Sequence, residues 1–334
     1  MSFALLFQPL TLPRSGLELK NRLVMAPMPT FAADPDGAIS DAELAYYRRR
    51  AAGGLAAIIT AGCAVSADGI SFDGQCRCDS NTLLPALSRA AQTIRDAGAR
   101  AVLQLCHGGV PVLSEADPER LVAAFTAGAH RARQAGFDAV EIHGGHRYLV
   151  QQFFSPATNP GKSFDERVQF PLAVARAAAE AWGGPLWMRL DPEEKRPDGY
   201  GFDELRRLAE RLAEAGVELF DVSASNYFAG SIRNPGDPLP RAQQLERKLG
   251  LPTMAVGGIA TPAEALAARS DGCSLVGLGR VLLGEPEWAQ RVLSGDADAI
   301  ATDLDSDARL ENADVPAPVL DYLARKPRER RIRP

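Results

Sequence analysis

The chain has 334 residues, 46% hydrophobic and 24% charged, with a formal net charge of −5. This is an ordinary globular composition, long enough to bury a core without covalent staples. The acidic balance argues against a nucleic-acid binder or a polybasic membrane binder, and five scattered cysteines do not make a disulfide framework. No apolar run of roughly 18 residues is present to span a membrane, and the first residues lack the charged start and apolar run of a signal peptide. A reduced, soluble, cytoplasmic protein is expected. The only basic cluster, "RKPRERRIRP" (325–334), reads as a solvated tail.

In chain order, the first strand is expected at "RLVMAPM" (22–28), with residues 1–21 as a cap beneath it. Five later stretches share one grammar: "AAGGLAAIIT" (51–60), "DAGARAVLQL" (95–104), "QAGFDAVEIH" (134–143), "EAGVELFDVS" (214–223) and "SDGCSLVGLG" (270–279). In each, an amphipathic segment ends at glycine and an apolar run of strand length follows. Glycine suits the left-handed turn that closes a helix, and the short apolar run suits a parallel strand buried on both faces. "PLWMRL" (185–190) and "PTMAVGG" (252–258) bring the strands to eight. Helices are expected near 41–53, 81–97, 118–135, 166–182, 202–215, 240–249, 261–269 and 285–293. Eight strand–helix units without a linker-like break predict a (β/α)₈ barrel. Residues 1–334 then form a single domain, with 295–334 as a C-terminal extension.

In such a barrel the chemistry lies at the carboxyl ends of the strands. The residues there are Pro27 to Phe31, Gly62 and Cys63, Gln104 and His107, then His143, His146 and Tyr148. Arg189, Ser223 and Ser225, Gly257 and Gly258, and Gly279 and Arg280 complete the rim. Three of the four histidines fall on it. The segment "EIHGGHRYL" (141–149) admits a zinc site, or two hydrogen-bond donors beside a proton donor. Zinc wants three or four ligands, yet no HExxH or CxxC accompanies the pair, so no metal is expected. At strands 7 and 8, "AVGG" and "VGLGR" precede a short helix, the usual phosphate corner of this fold. Arg280 would add a charge-assisted pair. Arg189 on an apolar strand needs a partner. Cys63, Cys106 and Cys273 read as small core residues.

Several motifs stand in order over most of the chain: "LFQPLTLPRSGLELKNRLVMAPM", "SDAELAYYRRRA", "LQLCHGG", "AGFDAVEIHGGHRYLVQQFFSP", "MRL" and "VGLGRVLLGEPEW". Together they resemble the Old Yellow Enzyme family of FMN-dependent ene-reductases. The resemblance implies FMN at the strand ends, NADPH or NADH as reductant, and an activated alkene (enone, nitroalkene or quinone) as acceptor. It implies that Pro27, Met28, Pro29, Gly62 and Gln104 line the flavin ring, with Arg189 beside its N1 and O2 edge. Gly257, Gly258, Gly279 and Arg280 would hold the phosphate. His143 and His146 would polarise the acceptor, Tyr148 would protonate its α-carbon as hydride reaches the β-carbon, and Phe31 would wall the substrate.

The sequence departs from that pattern in places. Pro29 stands where some members have a cysteine or threonine that tunes the flavin, so tuning is absent or comes from Thr30. Phe31 replaces a tyrosine, and Arg147 replaces a glycine. Val110 follows "HGG", and the run after the "SPxxN" motif is cut to "PGKS" (160–163), which predicts a more open substrate site. No cysteine follows Cys273, so the iron–sulfur ligands of the longer branch are missing. A flavin-binding barrel with poor turnover, serving as a binding or sensing protein, is the alternative. Nicotinamide preference and a homo-oligomeric state are left open.

Overall fold

The computed structural model describes residues 2–234 and 236–332. A hairpin of β1 (Leu10–Thr11) and β2 (Glu18–Leu19) precedes β3 (Leu23–Met25). Helix α1 (Asp41–Ala52) leads to β4 (Ala57–Ile59) and a short β5 (Cys63–Ala64). α2 (Leu84–Asp96) leads to β6 (Arg100–Cys106), and α3 (Pro118–Ala135) to β7 (Ala139–His143). α4 (Leu149–Phe154), α5 (Phe164–Arg167) and α6 (Gln169–Trp182) precede β8 (Leu186–Leu190). α7 (Phe202–Glu214) leads to β9 (Val217–Ser223), α8 (Arg241–Leu249) to β10 (Thr253–Val256), and α9 (Pro262–Ser270) to β11 (Leu275–Leu278). The chain continues through α10 (Val281–Gly284), α11 (Trp288–Ser294), α12 (Asp307–Asn312) and α13 (Ala317–Arg325).

Helix boundaries follow local chemistry. Ser40 and Glu43 form a capping box on α1, and Thr261 and Glu264 form another on α9, each satisfying otherwise orphaned amide groups. Asp117 caps α3, Pro118 starts it, and Gly136 ends it at φ +80. Gly183 at φ +70 and Gly250 at φ +65 end α6 and α8 in the same way. Each left-handed glycine turns the chain towards the next strand.

The strands close on themselves. β3, β4, β6, β7, β8, β9, β10 and β11 pair in parallel, and β11 returns to β3. Alternate residues of a strand face opposite sides, so two apolar layers arise. The inner one includes Val24, Ala57, Val102, Ala139, Trp187, Leu219, Met254 and Leu275, one from each barrel strand, with Leu12 and Leu19 of the hairpin packed beneath. The outer one packs the strands' other faces against the helices. Burying each large apolar side chain contributes about 1.5–3 kcal/mol, so closure pulls the functional ends of distant strands into one ring.

The (β/α)₈ expectation holds, with differences. The region 166–182 is two helices meeting at Val168 rather than one, and the helix expected at 285–293 begins at Trp288 after the separate α10. Thr253–Val256 is shorter than expected because Gly257 and Gly258 leave the strand at φ +142 and +67. The strand β5 was not foreseen; it pairs with β6 beyond β4. The tail is not freely solvated. Ile332 is buried, Arg331 bridges to Asp303, and Arg330 donates to the Leu304 carbonyl at 2.7 Å. Arg333 and Pro334 lie outside the described residues.

Candidate active site

Above the apolar inner layer the barrel becomes polar. Register places His143 beside Arg189 and Arg189 beside Asp221, with Gln104 beside Glu141. Arg189 is buried; its Nε lies 3.2 Å from Asp221 Oδ2, its Nη1 donates to the Pro27 carbonyl at 3.1 Å, and its Nη2 donates to Ser223 Oγ at 2.8 Å. Gln104 Nε2 donates to Glu141 Oε1 at 2.8 Å. One guanidinium therefore serves two buried carboxyls. Burial raises Asp221 to about 6 against the pull of Arg189, and burial raises Glu141 well above the usual carboxylate range, with Asp221 adding to the effect. Two adjacent anions in low dielectric do not both ionise readily, so burial and mutual repulsion work against the pull of Arg189 in this layer.

The β7 loop gathers the next groups. Gly145 N–H donates to His143 Nδ1 at 3.2 Å, which leaves the proton of neutral His143 on Nε2. That nitrogen lies 3.1 Å from His146 Nδ1, and His146 Nε2 lies 3.2 Å from Ser223 Oγ. The pair is thus linked to itself and to Arg189 through Ser223. Burial holds His143 well below the usual imidazole range, helped by His146 and Arg189; burial and Arg189 also lower His146, against Asp191. Tyr148 stands 4.9 Å ring to ring from His143. Burial first, and Cys106 second, raise its phenol, while a hydrogen bond to Ser71 opposes them. The loop is strained: His146 has φ +55 and Arg147 φ +63, a region that costs an L-residue roughly 1–2 kcal/mol. Among the described residues no group of three or more His, Cys, Asp or Glu is placed to hold a metal ion.

Beside this loop lies a cleft of about 220 Å³ lined by Pro27, Met28, Arg189, Ser223, Gly257, Gly258, Gly279, Arg280 and Ile332. A Cβ at Gly258 would meet nothing nearer than 3.9 Å and would stand in the space; one at Gly257 would come within 2.4 Å of the Ala224 carbonyl oxygen. Arg280 does not stand free. Its Nη1 donates to the Arg331 carbonyl at 2.6 Å and lies 3.5 Å from Glu329. Gly62 is needed as glycine because a Cβ there would sit 3.0 Å from Gln104 Oε1.

On the far side, Phe31 packs between Phe72 and Tyr322, each 5.0 Å away, and adopts φ +55. Pro29 is exposed, and Thr30 gives its hydroxyl proton to Glu43 at 2.5 Å. The Thr30 hydroxyl proton is therefore committed to Glu43. Cys63, Cys76, Cys78, Cys106 and Cys273 are all free and buried.

Every site residue expected from the sequence lies on this rim or its loops. Glu141, Asp191, Asp221 and Ile332 were missed. Glu141 precedes His143 by two, and Asp221 precedes Ser223 by two. On a strand that spacing means the same face, which was the available signal. Nothing local marked Ile332.

A family model described as the NADH:flavin oxidoreductase / NADH oxidase family matches residues 5–120 and 110–299. A probable NADH-dependent flavin oxidoreductase, YqiG, of Bacillus subtilis is 34% identical, with 89% of this chain and 90% of that protein covered. An NADH:fumarate oxidoreductase of Klebsiella pneumoniae is also 34% identical over 87% of this chain, but the chain spans only 36% of its length. Among solved structures, the old yellow enzyme homologue of Zymomonas mobilis superposes with a TM-score of 0.78 at 20% identity, covering 93% of this chain and 99% of that one. The chain belongs to the NADH:flavin oxidoreductase / NADH oxidase family, the Old Yellow Enzyme family, whose cofactor is FMN and whose reductant is NADH or NADPH.

Proposed function

We propose that this protein is an FMN-dependent ene-reductase, reducing alkenes conjugated to a carbonyl or nitro group, with residues 1–334 acting as one domain. The observation that carries the reading is the linkage of His143, beside Tyr148, through His146 and Ser223 to Arg189, the last two of which line a glycine-rich cleft. The residues fit FMN. The space a Cβ would fill at Gly258 leaves backbone open for a phosphate, and Arg280, held by the Arg331 carbonyl and Glu329, stands at the same corner. Arg189 supplies fixed positive charge inside the cleft, for the flavin's N1 and O2 edge. Pro27, Met28, Gly62 and Gln104 would border the ring, and Pro29 would lie at its outer margin. The chemistry FMN supplies when bound is hydride transfer, from NAD(P)H and on to the β-carbon of the alkene.

The chain's own groups do the rest. Burial of His143, and the Arg189 guanidinium near both rings, favour the neutral imidazoles, whose N–H groups serve for donation rather than for charge. Turning His146 away from its partner would free both donors for an acceptor oxygen, which withdraws electrons from the double bond. Tyr148, with its phenol held protonated, delivers the proton to the α-carbon. Phe31, wedged between Phe72 and Tyr322, forms the apolar wall that keeps water out. Pro29, the shortened loops and the mutual engagement of the histidines favour the second reading, a flavin-binding barrel with poor turnover.

One experiment separates the two. Protein reconstituted with FMN is reduced anaerobically with NADH or NADPH and then mixed with cyclohex-2-enone. Return of the oxidised flavin spectrum with formation of cyclohexanone supports the ene-reductase. Reduction without return, for enones and nitroalkenes alike, supports the binding protein.

A further inference from the structure

A second cleft, of about 590 Å³, adjoins the first through Ser223, Ala224 and Ser225 and is walled by His146, Arg147 and the segment from Asp191 to Arg196. Its charges divide into those already used and those left over. Asp191 Oδ2 accepts the His146 backbone N–H at 2.8 Å, and its Oδ1 lies 3.5 Å from His146 Nε2. Glu193 is buried, accepts from Ser231 and the Ile232 N–H, and lies 3.3 Å from Arg241 Nε. Glu194 is buried and accepts from Ser155, Gln151 and the Tyr200 N–H. Arg196 is paired with Asp198 at 2.7 Å. The acids are thus turned into the protein, and two of the cations, Arg196 and Arg241, are neutralised. Arg147 and Lys195 are different: both are exposed on this cleft, and among the described residues neither side chain has a hydrogen-bond or ionic partner.

Arg147 carries a second mark. It sits at φ +63, between His146 and Tyr148. Glycine would occupy that conformation without strain. An arginine there keeps the strain and gains a guanidinium at the rim of the site, one residue from the proton donor. Guanidinium and ammonium groups without internal partners, across a cleft whose acids are consumed, suit an anionic oxygen ligand.

We propose that Arg147, assisted by Lys195, is a specificity residue that recognises an anionic oxygen group on the ligand held above the flavin. The substrate class would be activated alkenes bearing a carboxylate. The same chemistry would also seat a phosphate of the nicotinamide cosubstrate, and the experiment distinguishes these sources. This rests on the ene-reductase reading for the alkene, but the binding test below does not need turnover.

The FMN-loaded protein is titrated with 4-hydroxybenzoate and with 4-hydroxybenzamide, following the flavin spectrum. The two phenols differ chiefly in the anionic group. The carboxylate is expected to bind at least tenfold more tightly in the native protein. Arg147→Gly, which relieves the backbone and so keeps the fold, is expected to erase most of that ratio, and Lys195→Ala part of it. In parallel, flavin reduction by NADPH and by NADH is compared at limiting concentration. A ratio that changes only between these two nicotinamides in Arg147→Gly assigns the anion to the cosubstrate phosphate. If neither ratio changes in Arg147→Gly, the proposal is overturned. Turnover of neutral pent-3-en-2-one by the native protein tests the ene-reductase reading separately. Its failure, with the benzoate ratio intact, would remove the alkene and leave the anion subsite.

Discussion

Tyr148 shows how one side chain's role can be isolated. Its phenol is pushed up by burial and by Cys106, which suits an acid that must keep its proton until the alkene arrives. Tyr148→Phe keeps the ring against His143 and removes only that proton. We expect NAD(P)H-dependent bleaching of the flavin to proceed at nearly the native rate. Reoxidation by cyclohex-2-enone should slow about 10²–10⁴-fold, the usual worth of a positioned general acid. Stopped-flow absorbance reads each half separately; equal slowing of both would make Tyr148 a structural residue. His143 makes a different prediction. Its folded-state pKa is depressed, mainly by burial. As pH falls below about 6.5, the ordinary value, the unfolded chain gains a proton that the folded chain refuses, so the stability linked to His143 is present above that pH and lost below it. Glu43, raised to about 6 by burial, works the other way: the stability linked to it is present below its ordinary value and lost as pH rises through about 6. The comparison must therefore be a difference. Urea midpoints at pH 7.5 and 5.5 should drop less on acidification in His143→Gln than in the native chain. An identical drop would show that His143 does not resist protonation.

At the scale of elements, the turn after β10 and the tail share one corner. A Cβ at Gly257 would meet the Ala224 carbonyl at 2.4 Å, with φ +142, whereas Gly258 at φ +67 has open space. Gly257→Ala should therefore lower both stability and FMN affinity, with a folding cost of about 1–3 kcal/mol. Gly258→Ala should cost about 1 kcal/mol in folding and act mainly on FMN, because its methyl would stand in the cleft. Urea melts and FMN titrations of the two variants separate these effects; equal FMN affinity in native protein and Gly258→Ala would move the phosphate elsewhere. The tail closes the same corner. Ile332 lines the cleft, and Arg280 is held by the Arg331 carbonyl and Glu329. Truncation after Lys326 should speed FMN release on dilution. An unchanged release rate would show the tail to be packing only.

On the proposed placement of FMN, cofactor and fold are coupled, because the cleft is built by strands from both ends of the chain. Met28 follows β3, Arg189 lies on β8, and Gly279 follows β11. A ligand that binds only when these ends are assembled stabilises the closed barrel by mass action. At free FMN about 100-fold above its dissociation constant the gain is roughly 2.7 kcal/mol, or a rise in Tm on the order of 5 °C for a chain of this size. Differential scanning of apo protein with FMN and with riboflavin checks this, and the phosphate corner predicts the larger rise for FMN. Equal rises for both would argue that the corner contributes nothing.

Periodicity alone supplied the repeating strand–helix units. Left-handed glycines such as Gly136 and Gly250 punctuate helices locally, and strand hydrophobicity is a property of a few adjacent letters, so neither needs the rest of the chain. The order of motifs likewise pointed to FMN and to the loop His143–Tyr148, because "HGGHRY" lies within one short segment. Contacts between segments far apart in sequence were not legible. The link from His146 through Ser223 to Arg189 spans three strand ends, and the diversion of Thr30 to Glu43 joins a loop to a helix. The return of Ile332 to a cleft begun at Ala26 crosses nearly the whole chain. Those pairings, and the pKa shifts that follow from shared burial, exist only once closure brings the strand ends within a few ångströms. The sequence determined the barrel and its chemical inventory; tertiary structure decided which groups are spent on one another and which, like Arg147, have no side-chain partner among the described residues.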